Sequence, residues 1–377
     1  MNKNKLIISD FHGGHLLGFQ ISDDKLVRIH NVSEESVLGN IYCGYVKDVV
    51  KNINAAFIEF DKDKKGYFSL KKFTEKIHQG DKVLVQVAGD KIKSKDYTLT
   101  SDINLNSECL VLTVGNTDIS ISRKIGGKPL RDSLKETLKE FVNEEYGFIL
   151  RTNSVEYSAA EIKKQAQLLI EQWQEVKRRF EHASAKSAIL KRDHLTDLCR
   201  VYIKKTGGDI ITDNMQVYRT LSDKDLSVIY NEEDKISLSN KYSLEKHLSH
   251  ALNSKVWLKS GAYLVIEPTE ALTVIDVNTG KAECRTNRNE TIKKINIEAA
   301  HEIIRQIQVR NLSGIIIVDF INMEDKTGYI ELEQLMQDGA KGDFSPCYIV
   351  GFTKLGLMEI SRKKIEKPLH EIMEEEL

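Results

Sequence analysis

Short apolar-rich, strand-like runs open the chain, at Lys5–Ser9, Leu16–Ile21 and Lys25–Ile29, with the turn Ser22-Asp23-Asp24 before the third. They predict a hairpin or meander. Between residues 39 and 125, strand-like runs follow one another at Asn40–Val49, Ala55–Phe60, Gly66–Leu70, Lys82–Val87, Tyr97–Thr100 and Cys109–Leu112. Short strands at this spacing predict a small β-barrel. The pattern then changes period. Ser158-x-x-Glu161 is a capping box, and Ile162, Leu169, Trp173, Val176 and Phe180 fall on one face of the helix it opens. That stripe reads as core, with a seam for a partner helix as the alternative.

Residues 192–250 read as a mixed unit, with Arg200–Lys205 and Asp209–Thr212 as strands and Lys246–Leu252 as a short helix. Residues 255–377 are the most regular. A hairpin of Tyr263–Glu267 and Leu272–Val277 turns at Pro268. A helix from Asn289 to Arg310 carries Ile292, Ile295, Ala299, Ile303 and Ile307 along one face, and Asn311–Gly314 stops it. A strand Ile315–Phe320, a helix near Tyr329–Gly339 and a strand Tyr348–Phe352 complete an α/β layer, followed by a Lys- and Glu-rich stretch that reads as frayed or helical.

At 377 residues the chain is too long for one ordinary core, and two to four domains are expected. The net charge of −1 excludes a globally basic protein, so any nucleic-acid surface must be a local patch. Asp319 interrupts the longest apolar run, so no membrane span is expected, and Asp10, His12 and two glycines break the segment that would form a signal peptide. Cys43, Cys109, Cys199, Cys284 and Cys347 are scattered, with no C-x-x-C. That predicts reduced thiols in a cytoplasm, and neither a disulfide framework nor a thiolate zinc site. No glycine-rich nucleotide loop and no nucleophile elbow is found.

The chemistry concentrates in two apolar segments that each hold one acid: Ile275-Asp276-Val277-Asn278-Thr279-Gly280 and Ile316-Ile317-Val318-Asp319-Phe320-Ile321. Carboxylates are rarely buried without a partner. Strand alternation puts Asp276 and Asn278 on one face, with Ile275 and Val277 toward the core, and puts Asp319 on a face with Ile317 and Ile321. If the strands are neighbours, two carboxylates and an amide converge, a ligand set that Mg²⁺ prefers. Bound Mg²⁺ can polarise a phosphoryl oxygen and lower the pKa of a water, as phosphodiester chemistry needs. Lys281, Arg285 and Arg310 would hold the substrate backbone. The alternative is that both acids cap turns or pair with those basic residues.

Other candidates are weaker. Phe57 and Tyr67 stand near lysines 62, 64, 65, 71 and 72. They read either as a platform for single-stranded nucleic acid or as core packing beside a solvated loop. Basic residues Arg123, Lys124, Lys128 and Arg131 precede Phe148-Ile149-Leu150-Arg151-Thr152, where a strand ending in Arg-Thr can fork onto a phosphate or simply be solvated. His247 and His250 stand three apart on a helix, and His12 and His15 flank two glycines; zinc would need further ligands in either place.

With these residues the chain resembles the ribonuclease E/G family of endoribonucleases. The resemblance rests on Thr269–Gly280, Gly314–Ile321, Asn296–Ile303, Gly39–Tyr42, Ala55–Phe57, Ile121–Arg123 and Arg151-Thr152. It implies an α+β and α/β multidomain fold. An S1 (OB) barrel at 36–118 would be inserted in a ribonuclease-H-like subdomain of 1–35 and 192–251. A 5′-sensor region at 119–191 and a DNase-I-like catalytic subdomain at 252–377 would complete it. Asp276 and Asp319 would hold Mg²⁺ and Asn278 would orient the scissile phosphate. Phe57, Tyr67 and Lys95 would contact single-stranded RNA. Arg151, Thr152 and the backbone of Val111 would receive a 5′-monophosphate. The implied activity is cleavage of single-stranded, A/U-rich RNA in rRNA processing and RNA decay, stimulated by a 5′-monophosphate. A non-catalytic S1-type RNA-binding protein is the alternative.

Three departures qualify the match. The family's C-P-x-C zinc-link is not found, so zinc is not expected and a zinc-linked homo-oligomer is not implied. Phe344, Ser345 and Pro346 follow Asp343 where basic residues are usual, which would cost one phosphate contact. Asn153-Ser154 after Thr152, and Ser107, replace small family residues and would tighten the sensor pocket.

Overall fold

The computed structural model describes residues 3–11, 14–32, 37–71, 76–89, 91, 96–232, 237–281, 288–324 and 326–374. Its mixed α+β elements divide into two compact units, Glu34–Asp193 and the combination of Met1–Ser33 with His194–Leu377.

In the first unit, five strands close on themselves in the order Ile41–Val50, Ala55–Asp61, Lys64–Ser69, Tyr97–Thr100 and Lys82–Gly89, because the first also pairs with the last. Alternate residues fill the interior, among them Val46, Ala56, Ile58, Phe60, Phe68 and Val85, all fully buried. The interior is tight: a Cβ at Gly66 would lie 2.6 Å from Leu99 Cγ, so only glycine fits there. A closed barrel of five short strands is compatible with an OB-like fold. Leu110–Val114, expected among the barrel strands, instead joins a separate sheet ordered Ile119–Ile121, Tyr146–Leu150, Leu110–Val114, Asn104–Asn106. Its pairing with Tyr146–Leu150, far along the chain, decided this.

The helix Ala159–His182 starts at the expected capping box, with Ser158 and Glu161 bonded reciprocally. Its Ile162, Leu169, Trp173 and Val176 are buried with Leu110, Leu112 and Phe148, so the stripe is core.

The second unit contains a sheet ordered Ile229–Tyr230, Asp209–Thr212, Asn4–Phe11, His15–Ser22, Lys25–Asn31. The segment Arg200–Lys205, expected as a strand, lies inside the helix His194–Thr206. The β-branched Val201 and Ile203 drew the strand reading. The longer period of Thr196, Cys199 and Tyr202, which are buried, decides for helix.

A six-stranded sheet carries the two acids, in the order Lys255–Trp257, Tyr263–Pro268, Thr273–Asn278, Gly314–Asp319, Met358–Arg362, Cys347–Phe352. The helix Arg288–Val309 connects the two central strands, which run parallel. Ile275, Val277, Ile316, Val318, Met358 and Ile360 pack with Ile295, Ala299, Ile303 and Met336 on one face. Met358–Arg362 lies in the stretch taken as frayed or helical, yet it is inserted between two other strands; Met358 and Ile360 alternate inward.

Arg362 ends that strand fully buried. Its guanidinium forks onto Asp343 at 2.6 and 2.8 Å and also donates to Asn311 Oδ1 and the Leu312 carbonyl. One ion pair thus joins the sheet to two loops. Removing one partner of a buried pair costs about 3–5 kcal/mol. Asp343→Ala is therefore expected to lose that much unfolding free energy in a urea titration, whereas a loss under ~1 kcal/mol would show the pair is not needed.

Candidate active site

Direct pairing places Asp276 beside Asp319 in the parallel ladder and beside Val265 in the antiparallel one. The core-facing residues Ile275 and Val318 are directly paired and fully buried, which turns both acids to the opposite face. That face is open. Asp276 is half-buried and Asp319 exposed. The acids thus face away from the core, as strand alternation predicts, and the same open face carries Val274, Ile315 and Ile317, of which Ile315 is 54% exposed.

Asn278 stands on the same face as Asp276, two residues on, and its Nδ2 donates to Asp276 Oδ2 at 2.7 Å. One amide N–H is thereby committed to the carboxylate, and the second remains to donate elsewhere. Two anchors fix these strand ends. Gly280 has φ +55° and packs so closely on the Gly261 carbonyl that a Cβ would come within 2.5 Å of it, and Lys281 N–H donates to that same carbonyl. Behind Asp319, the fully buried Asn296 brackets Ile321, donating to its carbonyl and accepting from its N–H at 2.7 and 3.1 Å. Asn296 and Glu298 went unassigned in the sequence; their only signal was the motif Asn296–Ile303.

Among the described residues neither acid has a basic partner within ion-pair distance. Lys281 is exposed, but Arg285 lies outside the described residues. Arg310 is corrected: it is 5% exposed, donates to Gln306 and to the Asn253 carbonyl, and is not placed to hold a substrate. Loss of solvent pushes its pKa down to about 10. Phe344 lays its ring 4.3 Å from the Arg28 guanidinium, and Asp343 is occupied by Arg362.

The donor set suits a hard cation that keeps much of its water: two adjacent carboxylates and an amide. It does not suit zinc, and no cluster of three or more His, Cys, Asp or Glu fit for a metal occurs among the described residues.

On the barrel, Phe57 and Tyr67 are paired across neighbouring strands, half-buried, with ring centroids 6.3 Å apart at 74°. They face outward, since Ala56, Ile58 and Phe68 fill the interior. Several nearby cations are engaged: Lys65 with Asp96, Lys64 with Asp61, and Lys47 and Lys186 with Glu59, whose carboxyl they hold down at about 2. Lys95 and Lys72 lie outside the described residues.

Arg151 and Thr152 are exposed at the end of the Tyr146–Leu150 strand. The Thr152 hydroxyl meets that of Ser122 at 2.8 Å, and Arg151 Nη1 donates to the Ser107 carbonyl at 3.3 Å. Val111 lies on the adjacent strand, between Asn106 and Ile149. Arg131 donates to the carbonyls of Ile121, Ser122 and Ile125 and shapes the loop beside Thr152. Ser107 is turned inward, its hydroxyl bonded to Gln165.

Comparison with known proteins adds the family. Residues 104–365 match the Ribonuclease E/G family. The chain belongs to the ribonuclease E/G family. It is 32% identical to Ribonuclease G of Haemophilus influenzae over 379 residues, covering 92% of this chain and 76% of that protein. It is 29% identical to Ribonuclease G of Escherichia coli K12, covering 92% and 77%. Ribonuclease E of a Nostoc species is 28% identical, covering 95% of this chain and 56% of its own length. The ribonuclease E/G match spans both acids, Asn278 and the Arg151-Thr152 segment, whereas most barrel strands precede it.

Like charges side by side on paired strands repel by some tenths of a kcal/mol. In EDTA, Asp319→Asn is expected to stabilise the protein by ~0.2–1 kcal/mol. Millimolar Mg²⁺ should raise the thermal midpoint of the unaltered protein but not of the variant. Equal Mg²⁺ stabilisation of both would remove Asp319 from the cation site.

Proposed function

We propose that this protein is a Mg²⁺-dependent endoribonuclease that hydrolyses single-stranded, A/U-rich RNA in rRNA processing and RNA decay in the cytoplasm. The observation that carries the reading is the side-by-side register of Asp276 and Asp319 with the Asn278 amide on an open sheet face. Family membership supports the reaction class. No helix among the described residues is long and apolar enough to cross a membrane.

Asp276 and Asp319 would together hold the cation. When bound, it would supply charge stabilisation at a phosphoryl oxygen and ease loss of a proton from water. Asn278, steadied by Asp276, would donate its second N–H to a non-bridging oxygen of the scissile phosphate and so fix its orientation. The outward Phe57 and Tyr67 would hold unpaired bases, and Lys95 a phosphate, which favours single strands because a duplex hides its base faces. The guanidinium of Arg151, the hydroxyl of Thr152 and the backbone of Val111 would receive a 5′-monophosphate. The 3.3 Å bond to the Ser107 carbonyl would give way to a stronger, charge-assisted one.

A 5′-monophosphorylated A/U-rich oligoribonucleotide tests this. Cleavage is expected with Mg²⁺ and not with EDTA, and Asp276→Asn with Asp319→Asn should abolish it while leaving binding. Cleavage that survives either change would overturn the reading. Binding without any cleavage by the unaltered protein would favour a non-catalytic RNA-binding protein. The 5′-hydroxyl oligonucleotide should be cut more slowly, and Arg151→Ala should erase that difference; equal rates at the outset would show that Arg151 and Thr152 are not a sensor.

A further inference from the structure

The open face that carries the acids continues across two more strands. Lys255 pairs with Val265, Val265 with Asp276 and Asp276 with Asp319, which makes one row across four strands. In the next row, Trp257 pairs with Tyr263 and Tyr263 with Asn278. Directly paired residues share a face, so an aromatic pair and a cation flank the candidate active site. At about 5 Å per strand step, Trp257 lies roughly 10 Å from Asn278. That is within reach of a nucleotide or two along a bound strand.

The aromatic group has the features of a site rather than of packing. Trp257 is 56% exposed, so its ring does little to cover the core. Its centroid lies 5.1 Å from that of Tyr263, with the planes at 58°. Lys255 Nζ lies 4.3 Å from the Trp257 centroid and 3.7 Å from that of Tyr263. The supporting turn is rigid, since the Lys259 N–H donates to Glu298 Oε1 at 2.7 Å and Gly261 accepts from Lys281. A flat exposed ring with a cation beside it matches a base and its phosphate: the base would stack on the indole and the ammonium would pair with the phosphate.

We propose that Trp257, Tyr263 and Lys255 form a nucleobase-stacking subsite that holds a base of the single-stranded substrate next to the scissile phosphate. The subsite rests on the nuclease reading for its role, though not for its binding. Stacking of one base is worth about five- to a hundredfold in affinity. Trp257→Ala is expected to raise KM for the A/U-rich oligoribonucleotide by about that factor with kcat changed less than twofold, and Trp257→Phe to retain most of the affinity. A single abasic nucleotide, walked along the oligonucleotide, should raise KM at one position near the cut and add nothing further in Trp257→Ala. In EDTA, titration with the same RNA should quench indole fluorescence, because Trp173 is buried and Trp257 is exposed. An unchanged KM in Trp257→Ala, with no RNA-dependent quenching, would overturn the subsite while leaving the nuclease reading intact. If no RNA is cleaved at all, the nuclease reading fails, and quenching alone decides whether the subsite binds.

Discussion

The candidate site depends on one register, the parallel pairing that sets Asp276 against Asp319. Two solvent-reached carboxylates side by side on paired strands repel by ~0.2–1 kcal/mol. The same pairing seats Ile275, Val277, Ile316 and Val318 in the core. Burying four such side chains contributes ~6–12 kcal/mol, so core packing wins and the acids are held together against their repulsion. A slip of one residue would turn the acids inward and the aliphatics out, which closes that escape. A cation is the natural relief for charge pressed together this way.

The one-sidedness of the sheet matters as much as the register. Helices Arg288–Val309 and Lys326–Ala340 cover one face. The other face keeps the acids, Asn278, Trp257 and several aliphatic side chains in reach of solvent. The helix between the acid strands also reaches through to the site, because Asn296 grips the backbone just beyond Asp319. Core, clamp and open face therefore come from one strand–helix–strand passage of the chain.

The sequence was most legible where periodicity and burial agree. The capping box at Ser158, the stripe on the helix it opens and the two acid strands fall where pattern put them. It was misleading where local chemistry looks the same in two states. Val201 and Ile203 have strand propensity but lie in a helix whose burial follows Thr196, Cys199 and Tyr202. Arg310 reads as a substrate cation but is spent inside the fold on Gln306 and a loop carbonyl. Met358–Arg362 reads as a polar tail, because alternation over five residues is a weak signal until partner strands flank it.

The chain alone determined which residues carry chemistry: two acids in apolar strands, an amide two residues on, and aromatics at strand positions. Side-chain alternation follows from the backbone, so the faces of Asp276 and Asn278 relative to their own neighbours were fixed without tertiary contacts. Only the tertiary structure decided that Asp276 meets Asp319, that their face is open, and that Trp257 and Lys255 share it. Those facts depend on which strands pair across some forty residues of intervening chain. Local propensity does not encode such pairings; the packing of the whole sheet selects them.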